Sequence, residues 1–207
     1  MSSDPFAIQT VEALREIVGE SRPGMEAKNE SRLDEFAVDF IARAPFLVLA
    51  TASAEGGLDA SPKGDAPGFV EVQDKHTLLI PDRPGNKLVY GHLNILENPK
   101  VGVIFMIPGT PETLRVHGTA ELTVDPEVLE RLAARNRPAV LAIRVRVDEC
   151  FFHCAKAFIR SNLWKPEKWG ERYRVSFGEM FAKKTGAGDD GARAFDQAIE
   201  ADYRDNL

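Results

Sequence analysis

Residues 46–63 read FLVLATASAEGGLDASPK, and the periodicity of this stretch decides the fold. Phe46 to Thr51 is a short, nearly continuous apolar run, Ala54-Glu55-Gly56-Gly57 supplies a turn, and a return strand is predicted over about Leu58 to Lys63. A second hairpin follows, Gly68 to Val72 and Thr77 to Ile80, turning near Asp74-Lys75. Val101 to Ile107 and Leu114 to Val124 add two more strands. Val140 to Phe152 is the longest candidate, with Ile143, Val145 and Val147 on one face and Arg144 and Arg146 on the other. Short strands joined by tight turns call for antiparallel pairing rather than a doubly wound parallel sheet. The expected architecture is an antiparallel barrel of six or more strands with helices at both ends.

Outside the strands the period is helical. Ile8, Val11, Leu14 and Val18 recur at near-helical spacing, and Gly19 stops the pattern. Ser31-x-x-Asp34 resembles a capping box, placing Leu33, Phe36, Ala37, Phe40 and Ile41 on one face of a second helix that ends at Pro45. A third helix carries Leu88, Val89, Leu93 and Leu96 on a shared face, and a short one opens at Asp125-Pro126. Helices are also expected around Phe177 to Lys183 and from Ala192 to about Tyr203, separated by a flexible loop at 185–191. The organisation is one structural domain: N-terminal helices over 1–44 packing on the barrel, the barrel over 45–165, and a C-terminal helical extension over 166–207.

Composition excludes several classes. With 43% hydrophobic and 28% charged residues the chain has material for an ordinary core. Its 32 acidic and 26 basic residues give a net charge of -6, which disfavours a general nucleic-acid partner. No run approaches the roughly 20 apolar residues of a bilayer span, and the N-terminus MSSDPFAIQTVEALREIVGE lacks the pattern of a signal peptide. Cys150 and Cys154 alone make no disulfide framework, so a reduced, cytoplasmic protein is expected.

Two basic segments carry the candidate chemistry. Asp82-Arg83-Pro84-Gly85-Asn86-Lys87 lies between a strand and a helix, where unpaired backbone N–H groups suit a phosphate. Arg83 adds a guanidinium fork and Lys87 a point charge, although an ordinary polar turn has the same composition. Ser61-Pro62-Lys63-Gly64-Asp65 groups a hydroxyl, a cation and a carboxylate at a strand end, suited to negative charge developing on a ligand or to a solvated loop. Arg115, on the strand Leu114 to Gly118, suits a ligand, a partner subunit or a surface ion pair. Trp164 suits a ring system, an interface or a core. Cys150, His153 and Cys154 lack a fourth zinc ligand, and no metal site is expected. No hydrolase, dinucleotide-binding or Walker motif is present.

In order, these segments run strand, turn, Ser-Pro-Lys-Gly-Asp (61–65), hairpin, Leu-Ile-Pro-Asp-Arg-Pro-Gly-Asn-Lys (79–87), helix, apolar strand, then Leu-Arg-Val-His-Gly (114–118) and Arg-Ser-Asn-Leu-Trp (160–164). This order resembles the pyridoxamine 5'-phosphate oxidase-like split barrels over about Phe46 to Trp164, in particular their bacterial branch of FMN-dependent proteins with an S-P-[RK]-G-D segment. The resemblance implies a mainly β, α+β fold: a six-stranded antiparallel split barrel with peripheral helices at both termini. It implies a homodimer holding FMN at the subunit interface. Residues matching Ser61, Pro62, Lys63, Gly64, Asp65, Ile80 and Asp82 then line the flavin, those matching Arg83, Asn86 and Lys87 hold its phosphate, and Arg115 and Trp164 reach the partner's flavin.

The function so implied is a flavin-dependent oxidoreductase acting on a small molecule, with no residue marked as catalytic. Related barrels instead take the deazaflavin F420, or haem or linear tetrapyrroles, for which His117 or His153 would be the axial ligand. A non-catalytic flavin carrier or sensor also fits the residues. The segment after Trp169, Gly170-Glu171-Arg172-Tyr173-Arg174, departs from the Arg-x-His substrate segment of true pyridoxamine-phosphate oxidases, so that activity is not carried over.

Overall fold

Seven strands form one wholly antiparallel sheet in a computed structural model that describes residues 4–205. The strands are β1 (Phe46–Ala52), β2 (Leu58–Gly64), β3 (Glu71–Asp74), β4 (Thr77–Asp82), β5 (Lys100–Met106), β6 (Thr113–Thr123) and β7 (Leu141–His153). Their order is β2-β1-β5-β6-β7-β4-β3. The expected count of six is therefore corrected to seven. The added member is the short β3, which pairs with β4 only from Glu71 opposite Leu79 to Asp74 opposite Thr77.

Alternation along the strands sends Leu47 and Leu49 of β1, Val103 and Phe105 of β5, Leu114 and Val116 of β6, Ile143, Val145 and Val147 of β7, and Leu78 and Ile80 of β4 into one contiguous buried cluster. Residues from both ends of the strand order meet in that cluster, so the sheet is curled on itself. It is not closed, because β2 and β3, the two end strands, do not pair with each other. Proline contributes to the gap. Pro62 lies on β2, and Pro81 lies on β4 beyond the last β3 partner, so each free edge lacks a backbone donor where a ladder would otherwise form.

The seam between these edges is bridged by side chains instead. Lys63 Nζ of β2 lies 2.5 Å from Asp82 Oδ1 at the end of β4, and Arg83 Nε lies 3.0 Å from Asp65 Oδ2. All four side chains are largely buried, at 14–26% exposure.

Helices fill the rest of the frame. In α2 (Glu35–Arg43), Ala37, Phe40 and Ile41 join the barrel core together with Leu33. Its cap is Asp34, whose carboxylate accepts from the Ala37 N–H at 2.8 Å, so the helix starts three residues later than the Ser31 capping box implies. Phe36 is 66% exposed, since it lies about 100° round the helix from Ala37, off the buried stripe of Ala37, Phe40 and Ile41. Gly91 and Ile95, not the expected leucine face, are the buried residues of α3 (Tyr90–Glu97). α4 (Pro126–Arg131) packs Val128 with Leu132, Leu79 and Ala142 in a second small cluster.

α1 (Val11–Val18) buries no residue. After the short α5 (Lys156–Ser161), α6 (Phe177–Thr185) and α7 (Gly188–Asp205) form a hairpin. Gly178 lets α6 meet the Ala192 carbonyl where a Cβ would collide, and Phe181 stacks on Phe195 at 4.6 Å. The expected flexible loop is shorter than its sequence reads, since Asp189 and Asp190 make favourable first-turn contacts with the helix dipole of α7. Residues 206 and 207 of the predicted acidic tail lie outside the described residues. No helix among the described residues is long and apolar enough to cross a membrane.

Two stability predictions follow from the packing and the seam. Phe105 is fully buried, so Phe105→Ala is expected to cost about 3–5 kcal/mol in urea denaturation, whereas Tyr173→Ala, at an 87% exposed position, stays within about 0.5 kcal/mol. Burial works to raise the Asp82 pKa, but the flanking His92 imidazole and Lys63 ammonium outweigh it and hold the carboxyl below its ordinary range. Such a group stabilises the fold in full above the unfolded aspartate value of about 3.9, and its contribution fades as pH falls through the lower folded value. Wild type should exceed Asp82→Asn by about 1–3 kcal/mol at neutral pH, with the gap closing as pH drops below about 4. A gap that held constant under acid would contradict the ion-paired seam.

Candidate functional site

The unpaired seam opens into a cavity of about 650 Å³, within the size range of small-molecule and cofactor sites. One wall is β2, from Asp59 to Gly64. The other runs from Pro81 through the loop after β4 into the first turn of α3. Leu49, Phe69, Val140 and Leu141 add apolar surface. The structure thus brings both basic segments of the sequence to one place, although some 20 residues separate them along the chain.

Lys63 and Arg83 are each held by a carboxylate across the seam. Asp65 is fixed by its own Oδ1, which accepts from the Ala66 N–H at 2.8 Å, leaving Oδ2 for Arg83 Nε. Arg83 is thereby oriented through one edge of its guanidinium, while Nη1 is buried with no hydrogen-bond partner among the described residues. A buried, unsatisfied guanidinium nitrogen is costly unless a ligand oxygen meets it. Asp82 holds Lys63 and also faces His92, whose Nε2 stands 3.5 Å away, in ion-pair range but without the geometry of a hydrogen bond.

The connecting loop is built for the same wall. Asn86 Oδ1 accepts from the Leu88 N–H at 3.0 Å, which shapes the turn and leaves the amide nitrogen without a partner among the described residues. Lys87 (φ 60°) and Val89 (φ 49°) both occupy the left-handed region. For a β-branched valine that conformation is strained, and it places Val89 at the N-cap of α3 with no side-chain cap. The first N–H groups of α3 therefore lack a side-chain acceptor at the cavity wall. The helix is seated there by Asn94, which donates to Thr51 Oγ1 at 3.0 Å, and by Gly91, where a Cβ would press on the Asp59 carboxylate.

Of the residues expected from sequence, Ser61, Pro62, Lys63, Gly64, Asp82, Arg83, Asn86 and Lys87 line this cavity, and Asp65 stands behind Arg83. Ile80 does not. Strand alternation turns it into the barrel core, where it is fully buried. Arg115 and Trp164 lie away from this chain's cavity. Arg115 is on the outer face of β6 opposite Phe151, and Trp164 donates from Nε1 to the Thr110 carbonyl and stacks on Phe158. Sequence reasoning missed His92, Phe69, Val140 and Leu141. His92 was open to inference from its place in the first helical turn after a basic loop, whereas Val140 and Leu141 reach the cavity only through the pairing of β7 with β4.

No protein with a curated description matches the chain. Among solved structures it is similar to HupZ from Group A Streptococcus, at 18% identity and a TM-score of 0.48, covering 58% of this chain and 93% of that one. It is similar to General Stress Protein 26 from Bacillus anthracis, at 16% identity and 0.44, covering 62% and 94%. A third is an FMN-binding protein from Syntrophomonas wolfei, at 14% identity and 0.40, covering 56% and 88%. The family model described as pyridoxamine 5'-phosphate oxidase matches residues 33–154, more than half of the chain. That span contains all seven strands, the seam and both basic segments, and the chain belongs to the pyridoxamine 5'-phosphate oxidase family.

Proposed function

We propose that the seam cavity binds FMN and that the protein is a flavin-dependent oxidoreductase acting on a small molecule in the cytoplasm. The observation that carries this reading is Arg83: its Nη1 is buried and unpartnered in a cavity that also receives Lys87 and the uncapped start of α3. Three sources of positive potential around one unsatisfied donor suit a phosphate monoester. The residues present therefore fit the cofactor that the family resemblance implies.

When bound, the flavin would supply hydride and electron transfer. The chain contributes binding and electrostatics. Arg83, Asn86 and Lys87 hold the phosphate, with Asp65 keeping the guanidinium edge in place. Ser61 and Lys63 would face the ring and ribityl region, and Asp82 keeps the Lys63 ammonium at the wall, where it would offset negative charge on a bound ring system. Leu49, Phe69, Val140 and Leu141 exclude water from the apolar side.

The reading includes a homodimer. Phe46, Val48, Ala50, Ile104 and Met106 share the outer face of β1 and β5, an apolar strip suited to self-association. Arg115 and Trp164, remote from their own cavity, then serve the cavity of the second copy.

Purified protein mixed with FMN and freed of excess is expected to keep flavin bands near ~375 and ~450 nm. The Arg83→Gln/Lys87→Gln double variant should retain flavin at least about tenfold more weakly, since it loses charge-assisted phosphate bonds. A colourless wild-type protein that releases all FMN would overturn the assignment and turn attention to F420 or haem.

A further inference from the structure

The helices α6 and α7 pack chiefly on each other. Their buried residues are Gly178 of α6 and Ala192 of α7, and these two lie against each other. Polar contacts lock the pair. Asp196 of α7 accepts from the Gly178 N–H at 2.8 Å and from Ser176 Oγ at 3.0 Å, and Arg174 reaches Glu200 at 2.8 Å. Ser176 Oγ in turn accepts from the Glu179 N–H at 3.1 Å, as the cap of α6. The hairpin is therefore a preformed unit that presents its remaining surface to solvent.

That surface carries an apolar band. Phe177, Met180 and Phe181 stand at i, i+3 and i+4 on α6, so they share a stripe. Phe195, Ile199 and Tyr203 stand at i, i+4 and i+8 on α7. The Phe181–Phe195 stack, with centroids 4.6 Å apart, joins the two stripes. Ile199 is half-buried, and the other five side chains are 37–55% exposed. Side chains of this size bury about 150–250 Å² each, so the band leaves roughly 450 Å² of apolar surface in water. Homodimer interfaces are about 65% apolar, and the band thus fits a face of roughly 700 Å². A standard stable interface takes about 800 Å² per partner.

Charge selects the partner. α6 ends on Lys183 and Lys184, whereas α7 is acidic from Asp189 and Asp190 to Asp205, with Arg193 and Arg204 as its basic residues. Laid on its own copy about a two-fold axis, each α6 meets the other copy's α7, and opposite charges face each other at the rim. We propose that the hairpin docks on the same hairpin of a second copy of this chain, the two pairs forming an intermolecular four-helix bundle. This contact is separate from the strip on β1 and β5 and does not rest on the flavin reading. No residue of the hairpin lines the seam cavity, so assembly here leaves flavin binding unchanged.

Sedimentation velocity of the full chain tests this with the Phe177→Lys/Met180→Lys variant. Lysine is a good helix former and both positions are about half exposed, so the hairpin itself keeps its fold. At micromolar concentration wild type is expected at twice the mass of this variant, whichever assembly the β1–β5 strip also makes. Lys183→Glu/Lys184→Glu keeps the apolar band and is expected to weaken the same association at least about tenfold. It decides the matter if the first variant unfolds. Equal masses for wild type and both variants would overturn the bundle, the result if the band lay on the chain's own barrel or served a different protein. Failure of the flavin reading shows separately, as wild-type protein that retains no FMN, and leaves these masses unchanged.

Discussion

The rest of the structure depends on a seam that cannot close through the backbone. Curling brings β2 alongside the end of β4, but Pro62 and Pro81 withdraw donors from the two free edges. Two ion pairs, Lys63 with Asp82 and Arg83 with Asp65, span the gap. A ladder of hydrogen bonds there would have filled the space that is now a cavity of about 650 Å³. The same contacts that join the edges also fix where two cations stand.

Energetically these pairs are better understood as positioning than as reinforcement. Largely buried ion pairs lose much of their attraction to desolvation, so their net contribution to stability is small beside the cost of breaking one partner away. The barrel core, from Leu47 to Val147, supplies the stability that lets the seam remain polar. What the carboxylates add is direction. Asp65 holds one edge of Arg83 and leaves Nη1 unsatisfied, and strain at Val89 leaves the start of α3 uncapped beside it. Both features carry a cost that an anionic ligand would relieve.

Much of this was legible in the sequence where local signals are strong. Strand period and turns located β1, β2, β4, β5, β6 and β7 to within a few residues, and the basic character of 61–65 and 82–87 marked both cavity walls. The short β3 is legible only as half of a hairpin, because its ladder with β4 is three residue pairs broken by a register shift. Ile80 belongs to the core rather than the cavity lining because neighbours on a strand face opposite sides, and register is a tertiary fact. Val140 and Leu141 had no local mark at all, since β7 reaches the seam only by pairing with β4. The exposed leucine face of α3 misled for a related reason: packing on Thr51 and Asp59 requires the small Gly91 and the amide of Asn94, which hydrophobic periodicity does not weigh.

The central claim is that the two edges of the seam form one ligand site. Backbone amide chemical shifts recorded by NMR as FMN is added test it most directly. The account predicts that the largest changes fall together on 61–64 of β2 and on 83–92 across the seam, with saturation at one flavin per chain. Changes confined to one edge, or centred on the α6–α7 hairpin, would contradict it.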